Sequence, residues 1–203
     1  VGAYAHSYFL GIGVPFLLSL AISVLFSSLI GMLLAIPALR VTGIYLAVAT
    51  LAFSIIVEQI LSHWVSVTGG YRGMLVPDPY IGNLSLISLS TFYFVCLAFL
   101  LLSILIAINI LRSPLGRAMT AVRDSEISAQ SVGINLARIK TIAFAISAGF
   151  TGLAGGLLAH KIGYLAPDGF NLLVSIQLLL MVVVGGLGSL HGAVYGAIFT
   201  VSY

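Results

Sequence analysis

Long stretches of this chain carry no charge at all. Residues 1–39, 41–57, 79–111, 141–159 and 169–203 contain no Asp, Glu, Lys or Arg. A backbone placed in hydrocarbon must satisfy its own N–H and C=O groups, which leaves helices and closed barrels. A helix needs about 20 mostly apolar residues to cross hydrocarbon about 30 Å thick. A membrane barrel would instead alternate in segments of about 10 residues. Runs such as LLSLAISVLF and FLLLSILIAINI do not alternate, so they read as helices. Charged residues make up 6% of the chain and mean hydropathy is +1.21, against roughly 25% charge in soluble domains. The expectation is an all-α polytopic transmembrane helical bundle of about five to six spans.

The spans are expected at 14–37, 44–61, 91–111, 136–160 and 172–186. Pro15 suits a first helical turn, and Pro37 with Arg40 suits an exit. The segment from Arg40 to Gly43 reads as a tight turn. Residues 1–13 are too short to assign alone and fit the end of a severed helix or a broken helix. Residues 65–90, punctuated by Gly and Pro, read as a non-spanning connection, and Pro167-Asp168-Gly169 as a short turn. Trp64 at a span end suits an interfacial anchor. The chain starts without Met and stops inside an apolar run, so it reads as part of a longer membrane protein, a single transmembrane domain over 1–203.

Small residues recur on two helical faces. Ala148, Gly152 and Gly156 fall at four-residue steps, as do Gly188, Gly192 and Gly196. That spacing lets helices approach closely in a membrane, where packing drives association. Glu58 is the one carboxylate within an apolar helix; with Gln59 and Gln177 it is a candidate for the translocation path, although near a span end it also reaches headgroups or water. His6 reads as a packing or hydrogen-bonding residue and His160 as an interfacial one. Cys96, the single cysteine, lies in an apolar run and reads as a small buried hydrophobe.

The polar exception is residues 112–140. It holds Arg112, Arg117, Arg123, Arg138 and Lys140 against Asp124 and Glu126, so the whole formal charge of +3 resides there. Ser113-Pro114 reads as a helix start, with Ser as N-cap and Pro at the first helical position. Leu115, Met119, Val122, Ala129 and Val132 recur at about helical spacing. Arg117, Thr120, Arg123, Asp124, Ile127 and Gln130 fill much of the opposite face, with Ile127 the apolar exception. One amphipathic helix is expected, stopped by Gly133, with Asn135 capping the next. The positive-inside bias places this segment and Arg40 in the cytoplasm, six basic residues against Arg72 and Lys161 outside.

No motif for chemistry accompanies these spans. HExxH and the phosphate-binding GxxxxGK[ST] are missing, the four His are scattered, and the five carboxylates form no acid/base pair. No metal site, cofactor, nucleic-acid surface or covalent catalysis is expected. A helical bundle with a polar cytoplasmic helix and no energy source of its own reads as a passage or an anchor driven by another chain. An ion-coupled secondary transporter or channel is the competing class; it would place conspicuous ionisable groups at midplane.

The segment from Gly116-Arg-Ala-Met-Thr-Ala-Val-Arg-Asp-Ser-Glu126 to Ala129 and Gly133-Ile-Asn resembles the cytoplasmic loop of the LivM-like permeases, membrane subunits of branched-chain amino-acid ABC importers. Further stretches are similar to the same family: Pro37 to Arg40, Gly43 to Phe53, Thr68-Gly-Gly, the small-residue run 147–156, and Met181 to Gly192. The resemblance covers nearly the whole chain. It implies two ATPase subunits, a second permease subunit and a periplasmic or lipid-anchored substrate-binding protein in a bacterial or archaeal cytoplasmic membrane. It also implies that 112–140 is a coupling element related to the EAA motif, with Arg117, Arg123, Asp124 and Glu126 as ATPase contacts and Gly133 as a backbone stop. Glu126 to Gly133 is one residue longer than the usual spacing, and Gln177 stands where many relatives carry an acid. Urea, short amides or other amino acids are alternative substrates within the family.

Overall fold

The apolar runs are helical in the computed structural model, which describes residues 1–39, 44–81, 84–85, 89–170, 172–186 and 188–201. The turn expected from Arg40 to Gly43 lies outside the described residues. The chain divides into two compact units, Val1–Leu165 and Ala166–Tyr203.

The first unit opens with helices α1 (Gly2–Gly11), α2 (Phe16–Ala38) and α3 (Ile44–His63), followed by a short helix α4 (Val65–Thr68). After a 3-10 turn (Gly70–Arg72) come the two-residue strands β1 (Met74–Leu75), β2 (Tyr80–Ile81) and β3 (Leu84–Ser85). Helices α5 (Leu89–Arg112), α6 (Pro114–Asp124), α7 (Glu126–Ser131) and α8 (Leu136–Ile162) follow, and strand β4 (Tyr164–Leu165) ends the unit.

Three helices are long and apolar enough to cross a membrane: Phe16–Pro37, Ser90–Arg112 and Leu136–Ile162. A fourth span is available if Val48–His63 and Val65–Arg72, which meet at a 78° bend, count as one broken helix. The described residues thus give three to four spans, fewer than the sequence suggested. The break falls at Trp64, and there the Thr68 hydroxyl lies 2.5 Å from Leu61 O and 2.8 Å from Trp64 O. That side chain satisfies carbonyls that the broken helix frees.

Burial on α2 is reversed relative to a soluble helix. Leu18, Leu25, Leu29 and Leu33 are exposed, while Ser19, Ser23 and Ser27, spaced one turn apart, are buried. The leucines form the face suited to lipid, and the serines meet α1 and α8. Small side chains permit close backbone approach, and that approach supplies the contact energy that hydrophobicity cannot supply between helices in lipid. Ser23 Oγ donates to Gly2 O at 2.8 Å and lies 3.3 Å from Gly152 O. Gly31 faces Ala148, Gly152 faces Ser23 and Ser27, and Gly156 faces Leu20 and His6. Phe16 and Leu20 are buried against Leu10, Val95, Phe99, Leu153 and Leu157, which brings in α5.

The connection after α3 is more structured than a plain loop. β1 pairs antiparallel with β4, Met74 opposite Leu165 and Leu75 opposite Tyr164. Val76 N–H donates to Gly163 O at 3.0 Å, and the Tyr164 hydroxyl donates to Arg72 O. These bonds tie the connection to the end of α8. β2 and β3 form a small hairpin, with Tyr80 opposite Ser85.

The second unit contains a 3-10 turn (Pro167–Phe170), helix α9 (Leu172–Gly185) and helix α10 (Leu190–Val201). At 14 residues, α9 is about 21 Å long and falls short of the hydrocarbon thickness. Gly192 and Gly196 of α10 are buried against Gly185 and the Met181 carbonyl of α9. Gly188 is not part of that face. It precedes α10, in the turn, with φ +88°.

Candidate functional site

The polar segment is built from two short helices, not the one expected. α5 ends at Arg112, and Ser113 alone separates it from α6. The Ser113 hydroxyl donates to Ile110 O at 2.6 Å and accepts from Gly116 N–H at 3.2 Å, so it closes one helix and caps the next. Gly116 is buried, and a Cβ there would collide with the Ile110 and Leu111 backbone. The α5–α6 corner is therefore tight.

Ser125 interrupts the expected helix. Its backbone is extended (φ −159°, ψ 112°), and its hydroxyl accepts from Ser128 N–H at 3.2 Å to cap α7. A serine three residues before an available N–H competes with helix continuation in this way. Beyond α7, Gly133 adopts φ +85°, its N–H donates to Gln130 O, and Ile134 N–H donates to Ala129 O. Only a residue tolerant of positive φ ends a helix like this. Asn135 Oδ1 then accepts from Arg138 N–H at 3.1 Å and starts α8.

The inner face of the segment is Val122 and Ala129, both buried, with Leu115 and Met119 half-buried. Val132, expected with them, is 76% exposed; it lies past the last turn of α7, at its C-cap. Ile127 is 81% exposed, as its place on the polar face required. Among charged residues, Glu126 pairs with Lys140 at 2.8 Å, joining α7 to α8. Arg123 pairs with its neighbour Asp124 at 2.9 Å in full view of solvent, and Arg117 donates to Arg112 O. A cavity of about 370 Å³ between α6 and α8 is bordered by Arg123, Asp124, Glu126 and Lys140, with Met119 and Val122 beneath. Chemically, the segment offers exposed charge and two isolated apolar side chains on a base anchored to two long helices.

Glu58 is half-buried on α3, and Gln59 is exposed, its carbonyl accepting from His63 Nδ1–H at 2.9 Å. Gln177 is exposed on α9 of the second unit.

One polar cluster was not legible as a unit in the sequence. His6 of α1 and His160 of α8 meet at 2.8 Å between Nε2 atoms, and Ser19 Oγ lies 2.9 Å from His6 Nδ1. The Ser19 hydroxyl proton is directed at Phe16 O, 2.9 Å away. Ser19 therefore accepts from His6 Nδ1–H, which leaves His6 Nε2 to accept from His160 Nε2–H. The rings of Phe16 and Phe92 enclose the pair.

A family model described as the permease component of a branched-chain amino acid transport system matches residues 1–203. The chain belongs to this permease family. The high-affinity branched-chain amino acid permease protein LivM of Salmonella typhimurium is 35% identical over 229 residues, covering 99% of this chain and 53% of LivM. A probable LivM of Methanocaldococcus jannaschii is 25% identical, covering 96% of this chain and 56% of its own. The permease protein LivH of Escherichia coli is 30% identical over 147 residues, covering 68% and 47%. The chain thus spans about half the length of the curated relatives it matches. No solved structure matches it.

Within this permease chain the His6–His160 contact joins residues 154 positions apart. The only sequence signal for it was that each histidine stands in a mostly apolar stretch, beside Ser7 and Lys161 respectively. The serine repeat of α2 at 19, 23 and 27 was a stronger signal, since three hydroxyls one turn apart must face protein and not lipid.

Proposed function

We propose that this chain is the membrane-embedded permease part of an ABC importer for branched-chain amino acids. It would sit in a bacterial or archaeal cytoplasmic membrane with residues 112–140 on the cytoplasmic side. Separate ATPase subunits, a second permease subunit and a periplasmic or lipid-anchored binding protein would complete the importer. The observation that carries this reading is the family match along all 203 residues. The anchoring of the polar segment supports the mechanical part.

In the mechanism, the ATPase moves the α6–α7 pair. Exposed Ile127, Arg117, Arg123 and Asp124 are the contacts offered, and Glu126 transmits through its bond to Lys140. The tight Ser113 corner on one side and the Gly133–Asn135 link on the other leave little slack, so α5 and α8 tilt with the segment. Coupling requires that the two ATPase states contact the segment differently; equal contact shifts nothing.

The test uses the full-length protein with its partner subunits in proteoliposomes, measuring leucine uptake and ATP hydrolysis. Gly133→Pro cannot adopt the observed φ of +85°, and Arg123→Glu reverses an exposed contact. Each is expected to leave membrane insertion intact while separating hydrolysis from uptake. Wild-type uptake in both variants would sink the coupling role, and uptake of urea without leucine would sink the substrate.

A further inference from the structure

A groove of about 490 Å³ lies between α5 and α8. Phe92, Cys96, Leu100 and Ser103 line it from α5 at helical spacing, as a single face. Phe150, Ala154, Leu158 and Lys161 do the same from α8. The adjacent stripe of α5, Val95 and Phe99, packs against Phe16 and Leu20 and holds the helix to the bundle. The groove itself stays open: Leu100, Ala154 and Leu158 are all exposed along it.

Each wall runs about 16 Å along its helix. Hydrocarbon is about 30 Å thick, so the groove is one leaflet deep. It uses only the half of each span that lies toward Lys161; α5 continues to Arg112, and α8 begins at Leu136. A transmembrane helix seated here would run along both spans for their whole length. A lipid acyl chain needs one half of them, and apolar walls are what it requires.

The open end of the groove carries charge. Lys161 stands in the last turn of α8, is exposed, and is the one charged residue in the described lining. Among the described residues it forms no ion pair. A lysine at a span end lays its methylenes on apolar surface and holds its ammonium at headgroup level. A lipid whose chain enters the groove therefore brings its phosphate to that ammonium, a charge-assisted contact. An anionic headgroup keeps the whole attraction, whereas a zwitterionic one brings a cation of its own that offsets it. We propose that the α5–α8 groove binds one anionic phospholipid, its acyl chain along the Cys96 stripe and its phosphate on Lys161. On the topology proposed above, that lipid belongs to the outer leaflet. The site goes beyond the permease reading and does not depend on what the permease carries. α5 and α8 also flank residues 112–140, so the lipid lies between the two helices whose relative tilt must change.

The test uses the full-length protein with its partner subunits in phosphatidylcholine vesicles. These contain a trace of phosphatidylglycerol with a photoactivatable group in its acyl chain. After illumination, mass spectrometry of the digested chain maps the adducts, which are expected on the lining residues of α5 and α8. Unlabelled phosphatidylglycerol is expected to suppress them about fivefold more effectively than unlabelled phosphatidylcholine, the preference given by one surface lysine. Lys161→Gln should bring that ratio to about one, and Lys161→Arg should keep it. Ala154→Phe, which fills the groove and leaves Lys161 in place, should remove the adducts. Lys161→Gln alters only an exposed end, so it carries the test if Ala154→Phe fails to assemble. Adducts that both lipids suppress equally, in the original protein as in Lys161→Gln, would refute the anionic site and leave ordinary lipid contact. No adduct in the groove would refute the proposal altogether and mark this face as covered by another helix of the importer. Either refutation leaves the permease reading standing, since leucine uptake by the same vesicles is measured separately.

Discussion

Replacing Gly152 with alanine puts a methyl group into the closest part of the α2–α8 contact. An ideal Cβ at this position would lie 2.5 Å from Ser27 Oγ, 2.6 Å from Ser27 Cβ and 3.1 Å from Ser23 O. Carbon atoms are at their best separation at about 3.5–4.0 Å. The two helices would therefore have to part by roughly 1 Å at this level, since Ser27 Cβ is fixed to its backbone. Parting also lengthens the 3.3 Å approach of Ser23 Oγ to Gly152 O. Overpacking of this kind costs about 1–3 kcal/mol. Approaches as close as 2.5 Å put this case at the upper end, about 2–3 kcal/mol, and alanine offsets about 1 kcal/mol through its better helix propensity, which leaves a net loss of about 1–2 kcal/mol. Thermal unfolding of the full-length protein at fixed detergent concentration measures it. Gly169→Ala is the control, because nothing lies within 4 Å of its Cβ position. A change within about 0.5 kcal/mol is expected there. The double variant Ser27→Gly/Gly152→Ala moves the small residue from one helix to the other and removes the Ser27 atoms from the clash. It should be at least about 1 kcal/mol more stable than the two single effects sum to. If Gly152→Ala matches Gly169→Ala, or the two effects simply add, the close contact does not hold these helices together.

Three further outcomes follow from the same geometry. His6→Leu leaves the Nε2–H of His160 without its acceptor at a half-buried site, so it should cost about 1 kcal/mol; removing both partners in His6→Leu/His160→Leu should cost less than the sum in the same unfolding assay. Ser113→Ala removes the α6 cap, worth about 1 kcal/mol, and should speed amide exchange at Gly116 about fivefold, with Ser113→Asp restoring protection. Glu126→Gln breaks the pair with Lys140, whose side chains are 50% and 27% exposed; stability should fall by no more than about 1 kcal/mol, and the difference should shrink in high salt.

The sequence alone determined that this chain is a helical membrane bundle, because uncharged stretches of this length leave a backbone in lipid only helices and closed barrels, and the absence of alternation removes the barrel. Local chemistry also determined the caps at Ser113 and Asn135 and the stop at Gly133, since each depends on residues within a few positions. The Ser125 break was also local: a serine hydroxyl in reach of the next turn's N–H competes with a continuous helix, and the apolar periodicity concealed it. Tertiary structure alone decided which small residues meet. Gly152 and Ser27 are small for the same reason only once their helices are side by side, whereas Gly188 fits the four-residue spacing yet serves a turn. The same holds for His6 and His160. Each stands in a mostly apolar stretch, His6 beside Ser7 and His160 beside Lys161, and the contact between them joins positions 154 residues apart, a distance that no local pattern encodes.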